Sequence, residues 1–208
     1  MDYKTYIWNT LLADIQNEYG VAALMGNLQA ESGLCPYRLQ GDFSSGYTTS
    51  LEYTSKVDSG EISEYDFVHN GPNGGGYGLA QWTFYTRKQA LYDWKRNNGY
   101  SSIGSVELAV DYLLYELKTT YTGVYNTLTT ATSIRTASDK VLHDFENPAD
   151  QSVDVEILRG DLGSSIYNEM KGTSGGGGST PGGSGSGTSK RKKFNFILFN
   201  KRRNIYYG

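Results

Sequence analysis

Residues 21–34 form a predominantly apolar run, Val21-Ala22-Ala23-Leu24-Met25-Gly26-Asn27-Leu28 followed by Gln29 to Leu34, with Pro36 two positions beyond. A segment that is apolar on most of its faces belongs inside a protein, so the run reads as a buried central helix around which the rest of the chain must pack. Proline removes a backbone donor and constrains the residue before it, which fixes where that helix stops. Its last turn carries Glu31 and Ser32.

Other helices follow from spacing. Ile7, Leu11, Leu12 and Ile15 share one face of a first helix over residues 3–19, with Gly20 expected as its left-handed cap. Helical periodicity returns over residues 86–97, 105–120, 133–146 and 152–171. Between them, residues 38–81 turn to Gly, Ser, Thr and Tyr, and alternations such as Tyr47-Thr48-Thr49-Ser50-Leu51 suggest loops and a small β-hairpin region. The fold class expected is α+β, mainly helical.

The 208 residues suffice for one sizeable core and no second full domain. Residues 1–171 are expected to make that domain. Residues 172–189 hold nine Gly among eighteen positions, with Ser and Thr supplying most of the rest, and read as a flexible linker spanning about 20–25 Å on average. Residues 190–208 hold seven of the 19 basic residues and none of the 22 acidic ones, around the apolar stretch Phe194, Phe196, Ile197, Leu198 and Phe199. Such a basic amphipathic tail suits a membrane surface, an anionic wall polymer or a strand docked on a protein partner, and nothing marks it as a specific nucleic-acid reader. Cys35 has no disulfide partner in the chain and reads as a small packed residue. The polar N-terminus shows no signal peptide, and no stretch is long and apolar enough for a membrane span.

Chemistry is concentrated in two places. Glu31 stands among Met25, Leu28 and Leu34 near a helix C-terminus, where burial and the helix dipole both disfavour a charged carboxylate. Those are the conditions for a general acid. Some fifty residues on, Gly75-Gly76-Tyr77-Gly78-Leu79-Ala80-Gln81-Trp82 offers glycines that let the backbone approach a ligand and a carboxamide that both donates and accepts. Ser32, Tyr77, Gly78, Gln81 and Trp82 are therefore the candidate substrate-binding residues. Asp58 and Asp66, then Asp42, are candidates for a second carboxylate, because they fall in the region that should wall a cleft. His69 and His143 stand far apart without further ligands at metal spacing, and no phosphate-binding loop is present, so no metal or cofactor is expected.

Glu31-Ser32-Gly33 followed by Gly78-Leu79-Ala80-Gln81 resembles the core of the lysozyme-like glycosidases, which include goose-type lysozymes and soluble lytic transglycosylases. The residues Gly20 to Leu28, Tyr53-Thr54, Val57-Asp58, Gly60, Gly76 to Thr83, Arg87-Lys88, Leu91, Glu116-Leu117 and Phe145-Glu146-Asn147-Pro148 make the phage tail lysozymes the nearest likeness, over residues 5–170. The resemblance implies a lysozyme-like domain with a hairpin-lined cleft. It also implies hydrolysis of the β-1,4 bond between N-acetylmuramic acid and N-acetylglucosamine in peptidoglycan, with Glu31 as general acid. Such a protein would work in a virion tail, alongside other tail proteins, or as a released lysin at the cell wall. Goose-type enzymes place an Asp shortly after the Gly-Leu-x-Gln motif, where this chain has Trp82-Thr83-Phe84. A lytic transglycosylase, which needs one carboxylate, and a non-catalytic wall-binding tail component are the competing readings.

Overall fold

A computed structural model describes residues 2–42, 44, 46–72 and 75–171. The linker and basic tail read from the sequence over residues 172–208 lie outside the described residues. Within them the order is α1 Tyr3–Ile15, α2 Glu18–Ser32, α3 Thr48–Ser59, α4 Glu64–His69, α5 Tyr85–Asn97, α6 Val106–Thr119, α7 Thr122–Thr129, α8 Ile134–Val141, and α9 Val153–Met170. A π-helical turn, Leu142–Glu146, continues α8.

Helix α2 is the centre, as its composition requires. Every residue from Gly20 to Leu28 is buried, and α1, α7, α8 and α9 pack around it. Small residues make this possible. A Cβ on Gly20 would fall 2.0 Å from the Leu128 carbonyl oxygen of α7, and one on Gly26 would fall 2.5 Å from backbone atoms of Arg159 and Gly163 on α9. Neighbouring backbones thus lie directly against α2, closer than side chains would permit.

The cap between α1 and α2 differs from the sequence expectation. Asn17 N-caps α2 by accepting from Gly20 N at 3.0 Å, and its amide donates to the carbonyls of Thr129 and Ala131. This tie to the α7–α8 connection starts α2 three residues before Val21. The left-handed cap of α1 falls on Gln16 at φ 56°, and Gly20 serves helix packing.

The expected hairpin region is corrected more substantially. Residues read as loop and alternating strand form α3, whose inner face consists of Ser50, Thr54 and Val57. Two of those three are polar, so a helical apolar stripe is invisible in the sequence. Their hydroxyls are satisfied inside: Ser50 by Asp42, and Thr54 by the Tyr77 hydroxyl at 2.7 Å. Pairing among the described residues is limited to the antiparallel bridges Leu39–Tyr77 and Tyr77–Trp82.

Candidate active site

Helix α2 ends where Gly33, at φ 66°, caps it by donating from its N–H to the Gln29 carbonyl at 3.0 Å. Glu31 is one position before the last helical residue. Its neighbours across the fold are supplied by α9 and the π-turn. Arg159, on the buried face of α9 with Gly160, Gly163, Ile166 and Met170, pairs through Nη2 with Glu31 Oε1 and through Nη1 with Glu146 Oε2 at 3.4 Å. The same Nη1 reaches Asn27 Oδ1 at 3.3 Å and the Asn27 carbonyl at 3.4 Å. Asn27 is itself locked by donation to Ala23 O and to Ser138 on α8.

Exposure separates the members of this cluster. The Glu31 side chain is 22% exposed, whereas Arg159 and Glu146 are 7% and 3%. Only Glu31 can present an oxygen to a substrate without rearrangement. Burial first, and then the charge of Glu31, push the Glu146 carboxyl well above the usual carboxylate range, with Arg159 opposing. The sequence places Glu146 at the end of the helix expected over residues 133–146 and Arg159 within that over 152–171, and neither carries a local mark of the site.

The Gly78–Gln81 segment is a tight turn. Tyr77 and Trp82 exchange both backbone hydrogen bonds, at 3.1 and 2.9 Å, and Gly78 N donates to Arg38 O at 2.8 Å. Gly78 stands at φ 79° with a Cβ position 3.0 Å from the Trp82 ring, so glycine is required there on both counts. Gln81, left-handed at φ 48°, donates its amide to Arg38 O and Gly78 O at 3.0 Å and is half-buried.

The remaining candidates occupy other surroundings. Ser32 is buried and donates back to Leu28 O. Tyr77 is buried among Tyr53 and Phe67. Trp82 is fully buried, and its indole N–H donates to Glu116 Oε2 at 2.6 Å. Glu116 also receives Arg87 at two oxygens, both at 2.8 Å, and the Tyr112 hydroxyl at 3.1 Å. These interior contacts hold the turn in place. Both oxygens of Asp42 accept from Ser44 and Ser50; those of Asp58 accept from Ser102 and Ile103 N, with Lys95 at 3.5 Å; those of Asp66 accept from Ser63 and Asn70. None shares a hydrogen bond or ion pair with Glu31 among the described residues.

A family model described as phage tail lysozyme matches residues 2–170. The chain belongs to the phage tail lysozyme family. No curated protein and no solved structure matches it. Membership makes it a cell-wall lytic enzyme with peptidoglycan as its substrate. No described helix is long and apolar enough to cross a membrane.

A surface depression of about 310 Å³ lies beside Gly33, lined in part by Tyr3, Gln29, Tyr37 and Tyr47. It opens on the face shared by positions 29 and 33. Glu31 is not among its lining residues and projects from a different side of the central helix.

Proposed function

We propose that this protein is a muramidase that hydrolyses the β-1,4 bond between N-acetylmuramic acid and N-acetylglucosamine, with Glu31 as the general acid. The observation that carries the reading is that Glu31 alone, of a buried two-carboxyl and one-guanidinium cluster at the end of the central helix, reaches solvent. A fixed acid at the rim of a dry cluster protonates the leaving glycosidic oxygen as the bond from C1 breaks, while water adds to C1. The Gly78–Gln81 turn offers the sugar its backbone and the Gln81 carboxamide oxygen, the amide nitrogen being bound to Arg38 O and Gly78 O.

Water activation by Asp42, Asp58 or Asp66 would require the carboxylate to give up bonds it now makes. This favours, as the second reading, a lytic transglycosylase, in which the sugar's own hydroxyl attacks and one carboxylate suffices. A tail component that binds the wall without cutting it is the third.

The test is Glu31→Gln, assayed on purified peptidoglycan with the products weighed by mass spectrometry. The folded variant is expected to lose about 10²–10⁴ in rate, the usual contribution of a general acid. Unchanged lysis would remove Glu31 from the mechanism. Reducing muramic acid from the parent protein identifies the hydrolase and the anhydro sugar the transglycosylase. Absence of any product identifies a binder.

We also propose that residues 172–189 tether a surface-attaching segment, 190–208, in a virion tail or a released lysin. Deleting both should spare turnover of soluble glycan and weaken lysis of intact cells, the difference fading as salt rises. Equal lysis of intact cells at low salt would count against the anchor.

A further inference from the structure

Glu146 is a carboxyl enclosed on every side that matters to its charge. Arg159 of α9 faces it, with Nη1 3.4 Å from Oε2. Glu31 of α2 faces it, held by the other terminal nitrogen of the same guanidinium. Arg87 of α5 acts on it from further off, its guanidinium 4.9 Å from the Phe145 ring and bound at both ends to Glu116. Glu146 Oε1 is buried and receives no donor.

With both carboxyls ionised, the cluster of Glu31, Glu146 and Arg159 carries one uncompensated negative charge in the interior. One proton makes it neutral, and the orphaned oxygen shows where the proton fits. A protonated Glu146 turns from acceptor into donor, and the adjacent Glu31 carboxylate can accept. Glu146 cannot be a nucleophile or a water-activating base. It is shut off from solvent and lies against Glu31, whereas a retaining partner stands about 5 Å away across the scissile bond and an inverting one roughly 6.5–9.5 Å.

We infer that Glu146 is a positioning residue that shares a single proton with Glu31, so that the acid is reloaded from inside the protein. This rests on Glu31 being the acid. In the protonation step the shared proton crosses from Glu146 to Glu31, leaving Glu146 a carboxylate against Arg159 Nη1; the O–H bond of Glu31 then breaks, its proton goes to the glycosidic oxygen, and that oxygen keeps the electron pair of the C1–O bond. Glu31 is left as a carboxylate against Arg159. Both carboxyls are then ionised against the single guanidinium of Arg159. The proton released when water adds to C1 returns to the pair, closing the balance. Burial and the Glu31 charge push the Glu146 carboxyl up, which favours a proton retained in the buried cluster.

Two measurements test this. In the wild-type protein, the carboxyl carbon of Glu146 followed by NMR titration should still be protonated at pH 7. A carboxylate there at pH 7 would overturn the proposal, and the experiment requires neither catalysis nor a variant that folds. In the lysis-rate profile, Glu146→Gln leaves a lone carboxyl beside Arg159 without its negative neighbour. The alkaline limb should move to lower pH by about one unit or more, with rate recovered on the acid side. Arg159→Met should move the limb the other way. A fall by the same factor at every pH would show a purely structural role and overturn the proton-sharing one. Should Glu31 prove not to be the acid, the rate profile would be silent while the titration still reports on Glu146.

Discussion

Gly26 on α2 and Gly163 on α9 meet backbone to backbone, with a Cβ at position 26 predicted by geometry to lie 2.5 Å from Gly163 N. The reverse substitution is little better, since a Cβ at position 163 would sit 2.8 Å from Ala22 O. This contact sets the depth at which α9 docks, and so determines whether Arg159, four residues earlier on the same helix, reaches Glu31.

Gly26→Ala should therefore damage stability and chemistry together. Overpacking of this kind costs about 1–3 kcal/mol. Urea denaturation measures that loss. Peptidoglycan turnover per folded molecule should fall as well, because α9 cannot move away from α2 without carrying Arg159 off the carboxyls. Unaltered turnover per folded molecule would mean that the ion pair tolerates the displacement.

Asp42 should behave as a stabilising residue. Burial raises its pKa, but hydrogen bonds from Ser50 and Ser44 outweigh this and hold the carboxyl down at about 2. Its contribution is thus complete above the ordinary carboxylate range and is lost as pH falls from about 4 through 2. Asp42→Asn should lower the melting temperature at pH 6 by the equivalent of about 1 kcal/mol, allowing for solvent screening. The gap to wild type should close on acidification. A loss of turnover exceeding the loss of folded protein would instead point to Asp42 as the water-activating carboxylate.

Lys88 should oppose folding near neutral pH. Its residue is buried, its ammonium lies 4.8 Å from the Phe67 ring centroid, and burial pushes its pKa down to about 8. Between about pH 8 and 10.5 the unfolded chain holds a proton that the folded chain has released, so stability rises with pH across that window. Lys88→Met should raise the melting temperature at pH 7, by the equivalent of about 1–2 kcal/mol after allowing for residual solvation and the lost ring contact. The advantage should vanish by about pH 10.5. An equal advantage at both ends would show that packing, and not the charge, was responsible.

The central helix, its end at Glu31 and the tight turn at Gly78 were legible because each is written locally, in an apolar run, a proline stop and a cluster of glycines. Helix α3 was not, because the face it buries is Ser50, Thr54 and Val57, whose polar groups find partners only in the folded chain. Trp82 was readable as important and unreadable as buried, since its partner Glu116 lies 34 residues away. The Glu146–Arg159 part of the site was missed for the same reason of distance. A signal existed, however. Arg159, Gly160, Gly163, Ile166 and Met170 recur at helical spacing, and an arginine on an otherwise small and apolar stripe must meet a buried carboxylate or pay heavily for its charge.

The π-turn at Leu142–Glu146 has a consequence for how such a cluster arises. A π-turn accommodates one more residue than the α-helical path would, and successive α-helical residues differ by about 100° around the axis. Without the extra residue, Glu146 would point to another quadrant, away from Arg159. One residue added to a helical path is thus enough to swing a glutamate into the interior beside Arg159. Removing that residue would break the pairing with Arg159 and would rotate the neighbouring Phe145 out of its place in the core as well.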